Sequence, residues 1–346
     1  MAAAQSTGHA NHTQTPENGA DHIDHHLEED EEEEEDVTEI QEEPFDFDGY
    51  LDDYPDDTEE LDIIHARVTS IPDLHLERFK SLTRLCMRQN LIIDIEGLEQ
   101  NTKLTELDLY DNKISKIRGL DALVNLETLD LSFNKIKHVQ HISNLKRLRT
   151  LYLVSNKLSV LEGLDELTEL TSLEVGANRI RVIENLEKLV NMEQLWLGKN
   201  KITKLQNLSP LRNLTLLSIQ SNRLTRIEGL EALEHLEELY VSNNAIEKLE
   251  GLDKNTKLRV LDVAGNRISE LENIRHLHNL EEFWANSNLL HDQTQLTPNL
   301  GPEVMPKLET VYLEHNPLQK ELGTAYRIKI KLALPQVKQI DATYTI

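Results

Sequence analysis

The stretch Leu104–Ile114, "LTELDLYDNKI", places apolar side chains at Leu104, Leu107 and Leu109, an asparagine at Asn112 and an apolar residue again at Ile114. Leu107 and Leu109 flank Asp108, so an extended segment sends both leucines to one side and the aspartate to the other. The spacing returns in "MEQLWLGKNKI" as Met192, Leu195, Leu197, Asn200 and Ile202. Working outward, asparagines stand at Asn90, Asn112, Asn134, Asn156, Asn178, Asn200, Asn222, Asn244, Asn266 and Asn288, every gap being 22 residues. A 22-residue period built on an extended core is not a heptad, so a coiled coil is excluded.

The common pattern, L-x-x-L-x-L-x-x-N-x-I/L, is the leucine-rich-repeat signature. The expected fold is α/β, a right-handed leucine-rich-repeat solenoid. Its parallel sheet lies on the concave face, short helical or 3-10 turns on the convex face, and a cap closes the C-terminus. The asparagine lies just past the strand, where its amide can donate and accept at once and so satisfy turn backbone groups. Seven residues later come Gly97, Gly119, His141, Gly163, Asn185, Asn207, Gly229, Gly251 and Asn273. These types tolerate a positive φ, which predicts a left-handed turn in each unit.

The ends depart from the pattern, as terminal repeats must. "ELDIIHARVTSIPDL" puts Ala66 where the asparagine belongs, and "FDFDGYLDDY" before it is expected to fold over the end. The last unit centres on Asn316, after the Pro-containing loop "HDQTQLTPNLGPEVMP"; "AYRIKIKLALPQVKQID" then reads as a helix ended by Pro335 and a short extended tail. The organisation is an acidic disordered tail (1–57), a solenoid of about 12 repeats (58–318) and a C-terminal cap (319–346).

Charge divides the chain in the same place. Of its 62 acids, 23 fall in residues 1–60, which hold no Lys or Arg; the other 39 face all 36 cations, so the body is nearly neutral. The run "EEDEEEEED", Glu28–Asp36, repels itself and has nothing to bury, so it is expected to stay disordered, as a solubilising extension or an arm for a basic partner. His9, His12, His22, His25 and His26 lack a cysteine or ordered scaffold, and no metal or other cofactor is expected. A single cysteine, Cys86, forms no internal disulfide and fits a reducing compartment. No apolar run approaches the roughly 20 residues of a membrane helix.

With the leucines assigned to the core, the informative residues are those between them, four before each asparagine. That column runs Cys86, Asp108, Asp130, Tyr152, Glu174, Trp196, Ser218, Tyr240, Asp262 and Trp284, with Tyr312 in the last repeat. Beside it lie Arg88, Tyr110, Gln194, Gln220, Glu238, Glu282, Asn286 and Glu314. Both tryptophans of the chain fall in the one column, interleaved with carboxylates. Trp and Tyr are interface anchors, and acids around them select a basic patch, so the column reads as a protein-binding face. Gly198, small and on the same face, is expected to leave the Trp196 indole open. Nucleic acid fits poorly: only Arg88 and Lys199 come near the column. Catalysis is not expected: Asp108 and Asp130 are the neighbours that any solenoid sheet produces, and a flat sheet offers no dry pocket.

"LCMRQNLI", "LGKNKITKLQNLS", "SNRLTRIEGL", "EEFWANSNLL", "LETVYLEHNPLQK" and "LALPQVKQIDAT" resemble the family of short leucine-rich-repeat proteins typified by regulatory subunit 7 of protein phosphatase 1. The resemblance runs from about residue 60 to the C-terminus. It implies a non-catalytic subunit, present in the nucleus and cytoplasm and linked to mitosis. It implies a partner, the catalytic subunit of protein phosphatase 1, bound through the concave face, and a third, inhibitor subunit. Matched by repeat and column, the contacts implied are Asp130, Tyr152, Glu174, Trp196, Asp262, Glu282, Trp284 and Tyr312; the residue reading adds Asp108 and Tyr240. A docking motif of the R-V-x-F type is not evident, since "RVTSI" at Arg67–Ile71 lacks the aromatic. The competing reading is a scaffold in an RNA–protein or chromatin complex.

Overall fold

A computed structural model describes residue 47 and residues 49–345. The expected acidic run and tail histidines lie outside the described residues. Three-residue strands recur once per repeat from Glu60–Asp62 to Thr310–Tyr312, each hydrogen-bonded in parallel to its sequence neighbours. The register is one repeat per step, so Asp108 lies beside Asp130 and Trp196 beside Ser218. The leucines of each L-x-L pair are fully buried, as are the apolar residues spaced by three along the return path, such as Ile114, Ile117, Leu120, Leu123 and Leu126.

The asparagine column does what its chemistry allows. Asn112 Nδ2 donates to Leu109 O in its own repeat (3.0 Å) and to Met87 O in the preceding one (3.0 Å), while Oδ1 accepts from Ile92 N (3.1 Å). The same three bonds recur at Asn200, through Leu197 O, Val175 O and Ile180 N. In the last repeat Asn316 bonds Leu313 O, Ala285 O and Leu290 N. Buried donors and acceptors at each turn are thus satisfied by the side chain of the next repeat.

The second column is left-handed throughout, from Gly97 (φ 79°) to Asn273 (φ 55°). A Cβ at Gly119 would stand 2.0 Å from Ile95 O, so glycine is required sterically as well as conformationally. Where asparagine replaces glycine, its amide bonds the equivalent carbonyl: Asn185 to Leu161 O (2.6 Å) and Asn207 to Ile183 O (2.7 Å). A further left-handed residue precedes every repeat asparagine, among them Phe133, Ala177 and Lys199.

The return path is made of single i→i+3 turns, such as Leu123 N to Leu120 O (3.0 Å), rather than regular helices. Helices gather towards the C-terminal end: α1 (Leu296–Leu300) in the Pro-containing loop, then α2 (Pro317–Leu322) and α3 (Tyr326–Ala333) in the cap. After α3, Gln339–Ile340 adds a parallel strand to Thr310–Tyr312 and pairs antiparallel with Thr343–Tyr344, closing that edge. Asp341 supplies the last turn, accepting from Leu313 N (2.8 Å) and Glu314 N (3.0 Å).

At the other end packing begins before residue 58. Phe47 and Leu51 are buried in the core, and Arg78 binds Tyr54 O and Asp56 Oδ1 (3.2 and 3.0 Å). The N-terminal cover therefore includes residues that composition alone assigns to the tail. Among the described residues, no helix is long and apolar enough to cross a membrane.

Candidate functional site

The strand face divides into two parts. In the early repeats its charges are paired. Arg84 reaches Asp62 (2.9 Å), Glu106 (3.2 Å) and Glu60 (3.9 Å). Arg88 pairs with Asp108, lies 3.7 Å from Asp130 and covers the Tyr110 ring at 5.3 Å. Tyr110 in turn packs on the exposed Phe133, ring centroids 4.8 Å apart.

In the late repeats the face carries a run of rings. Trp196 stacks on Tyr240 (6.5 Å, 16°), Tyr240 meets Trp284 (6.2 Å, 64°), and Trp284 meets Tyr312 (5.7 Å, 65°). Trp196 and Tyr240 belong to strands two apart, with Ser218 between them; Asp262 likewise lies between Tyr240 and Trp284. Strands two apart stand nearly 10 Å from each other, so the rings lean across the smaller intervening residues. Those residues are buried in consequence, Ser218 at 1% and Asp262 at 7% exposure. The rings are half-buried by one another and still offer a broad surface.

Carboxylates hold the rings in place. Tyr240 Oη donates to Glu238 Oε2 (2.7 Å), and Trp284 Nε1 donates to Glu282 Oε2 (3.1 Å). The cap joins the site: Gln339 Nε2 donates to Tyr312 Oη (2.8 Å). Among the described residues Glu174, Glu238, Asp262, Glu282 and Glu314 make no ion pair, unlike Glu237 and Glu281 on the adjoining edge, which share Arg259.

Each residue expected at the site lies on this face, in two environments. Tyr152, Glu174, Trp196, Tyr240, Glu282, Trp284 and Tyr312 are half-buried. Asp108, Asp130 and Asp262 are buried, because each carboxylate turns back to accept from the backbone N–H two residues on: Tyr110 N (3.1 Å), Ser132 N (2.9 Å) and Ala264 N (3.0 Å). They shape the turn as much as they colour the surface. The space beside Gly198 is not empty, since a Cβ there would meet the Gln220 side chain at 3.2 Å. Of the Arg88–Tyr110–Phe133 cluster, Arg88 and Tyr110 stand among the residues expected beside the column, whereas the Phe133 ring that closes it does not.

Burial holds the carboxyls of Asp130, Glu174 and Asp262 above the ordinary carboxylate range, with the Asp130 charge adding to the effect at Glu174. Burial likewise pushes up the Tyr240 hydroxyl, helped by its bond to Glu238, and the Cys86 thiol. Among the described residues, no group of three or more His, Cys, Asp or Glu is placed to hold a metal ion. The chemistry such a surface supports is recognition: apolar rings to bury, fixed acids to orient a cationic partner.

A family model described as leucine-rich repeats in two copies matches residues 80–122, 102–144, 168–210 and 212–254. Further leucine-rich-repeat models match residues 124–180 and 254–269. Over 47 residues the chain is 51% identical to "Protein phosphatase 1 regulatory subunit SDS22" of Saccharomyces cerevisiae, covering 14% of each chain. Over 37 residues it is 68% identical to "Protein phosphatase 1 regulatory subunit 7" of Homo sapiens, covering 11% of this chain and 10% of that one. The matched stretches thus span a small part of those relatives. Among solved structures, an internalin (InlF) from Listeria monocytogenes superposes with a TM-score of 0.64 at 24% identity, over 87% of this chain and 94% of that one. A leucine-rich-repeat protein of Leptospira interrogans gives 0.62 at 22% identity, over 79% and 81%. These two likenesses concern the fold.

Proposed function

We propose that this chain, which belongs to the leucine-rich-repeat family, is a non-catalytic regulatory subunit that binds the catalytic subunit of protein phosphatase 1 through its strand face. The observation that carries the reading is the ring run Trp196–Tyr240–Trp284–Tyr312 with unpaired acids around it. The names of the relatives above support the choice of partner.

The rings would supply most of the affinity, as buried aromatic anchors do, and the acids would set orientation and encounter rate. Asp108 and Asp130, tied back to the backbone and shared with Arg88, would act mainly by holding the early face in shape. Tyr152 and Glu174 would extend the contact towards it. A subunit without reactive groups of its own modulates by masking a surface, excluding other subunits or favouring one state of the phosphatase, which shifts that state's population. A third, inhibitor subunit and residence in both nucleus and cytoplasm through mitosis complete the proposal.

The test is an affinity measurement with purified phosphatase catalytic subunit, metal-loaded and metal-free, against wild type and the Trp196→Ala/Trp284→Ala pair. Loss of binding in the pair supports the reading. Undiminished binding would sink it.

A further inference from the structure

The sheet does not end on the ring run. Gln339–Ile340 and Thr343–Tyr344 add two strands beyond Thr310–Tyr312, the second antiparallel and at the edge. In that pair Tyr344 lies directly opposite Gln339, and residues directly opposite in an antiparallel pair share a face of the sheet. Gln339 settles which face, because its Nε2 donates to Tyr312 Oη (2.8 Å). Tyr344 therefore stands on the strand face, two strands past Tyr312. The same interval separates Trp196 from Tyr240 and Tyr240 from Trp284.

Its surroundings differ from those of the four inner rings. They are half-buried, whereas Tyr344 is 76% exposed. Among the described residues no side chain bonds its hydroxyl and no ring packs on it, unlike Tyr240 and Tyr312. The backbone under it is nonetheless fixed. Arg327 donates to Ile340 O (2.7 Å) and Thr343 O (3.0 Å), Lys331 Nζ to Val337 O (2.8 Å) and Thr345 Oγ1 (3.2 Å), and Thr345 N to Lys338 O (2.7 Å). Both cations are thereby engaged by the hairpin, and Gln339, Thr343 and Thr345 beside the ring are neutral. Sheet edges are commonly guarded by charge, and the opposite edge, Glu60–Asp62, presents two acids. This edge presents a ring.

We propose that Tyr344 is the terminal anchor of the partner-binding face. The inference rests on the phosphatase reading above and adds to it: the phosphatase surface that covers the rings extends over the C-terminal hairpin, and there it is apolar rather than basic. Continuity selects the occupant. From the Trp196 strand to the Tyr344 strand there are seven strand spacings, roughly 34 Å along the sheet. A standard interface of about 800 Å² per side is about 30 Å across, so one partner reaches both. The neutral surroundings select the chemistry, since nothing beside Tyr344 corresponds to the Glu238 and Glu282 that bond the inner rings. A ring on fixed backbone is also buried at little ordering cost, which favours it as an anchor.

The experiment titrates the full chain into purified phosphatase catalytic subunit at low and at physiological salt. It compares wild type with Tyr344→Ala, Tyr344→Phe, Tyr344→Glu and a control, Tyr54→Ala, whose exposed ring lies at the N-terminal end of the solenoid. Tyr344→Ala is expected to weaken binding roughly tenfold with an unchanged salt dependence, because no charge is lost. Tyr344→Phe and Tyr54→Ala should change it less than about twofold, and Tyr344→Glu should weaken it at least as much as Ala. Circular dichroism melting checks that the variants fold, and Tyr344→Thr, a good strand former, replaces Ala if its melt shifts. Wild-type affinity in Tyr344→Ala, with the Trp196→Ala/Trp284→Ala pair still impaired, overturns this inference and leaves the phosphatase reading standing. Tighter binding of Tyr344→Glu overturns it as well, since a basic surface then covers the ring. No binding by wild type overturns both.

Discussion

In the early repeats the carboxylates of the strand face have cations beside them: Asp62, Glu60 and Glu106 share Arg84, and Asp108 and Asp130 share Arg88. In the late repeats the same strand positions carry rings, and Glu238 and Glu282 spend their oxygens on a tyrosine hydroxyl and an indole N–H. The backbone is the same in both, so the difference lies in the outward residues alone. Opposite charges that meet within the sheet stabilise the fold and leave little field outside. Acids whose partners are neutral donors keep their charge available. A repeat scaffold can thus assign one stretch of a continuous sheet to self-cohesion and another to recognition without changing its core.

Four measurements would break or sharpen that contrast. Replacing Trp196 and Trp284 together by Ala should cost roughly 4 kcal/mol of phosphatase affinity, about a thousandfold, while Arg88→Ala changes binding less than about twofold; isothermal titration decides between them. The ranking reverses for stability. Arg88→Ala should lower it by about 1–2 kcal/mol in urea unfolding, because the buried Asp108 loses its cation, an effect tempered by the half-exposed arginine.

Acidification separates the halves next. Burial raises the carboxyls of Asp130, Glu174 and Asp262, so the folded chain holds protons on them at a pH where the unfolded chain does not. The stability they contribute is fully present below the ordinary carboxylate range and is lost as pH rises through the raised values. Their negative charge follows the opposite course, so affinity for a basic partner should fall on acidification before ordinary surface acids titrate. Asp262→Asn, which can still accept from Ala264 N, should flatten that profile and raise stability at pH 7.5 by less than about 1 kcal/mol; an unchanged binding profile would remove Asp262 from the recognition surface. The smallest effect belongs to Tyr240→Phe, which keeps the ring stack and loses one bond to Glu238, worth about 0.5–1 kcal/mol of binding or stability.

The repeat and its inner residues were legible in the sequence because single positions carry single jobs: Asn112 must donate and accept, and Gly119 must leave room for Ile95 O. The left-handed residue before each asparagine was not legible, since neighbouring bonds impose its φ and Phe133, Ala177 and Lys199 all accept it. The columns of the site were legible, but not the direction in which their side chains turn. Asp130 and Asp262 differ from Glu174 by one methylene, and the shorter arm is what folds back onto the strand. The lean of Trp196 over Ser218 also depends on two repeats together, which no pattern within one repeat encodes.

Besides its own turn, each asparagine serves the repeat before it, so the molecule has a polarity. Ala66 stands at the first such position among the described residues, with no earlier described repeat to bond; Ala66 N and Val68 N instead wait for Asn90 Oδ1, at 3.1 Å each. A coil is therefore finished only when the next one arrives. A chain emerging from the ribosome would lock its repeats in order, one step behind synthesis. Deleting repeats from the C-terminus strips the final coil of its lock, whereas deleting them from the N-terminus leaves idle amides on an otherwise finished stack.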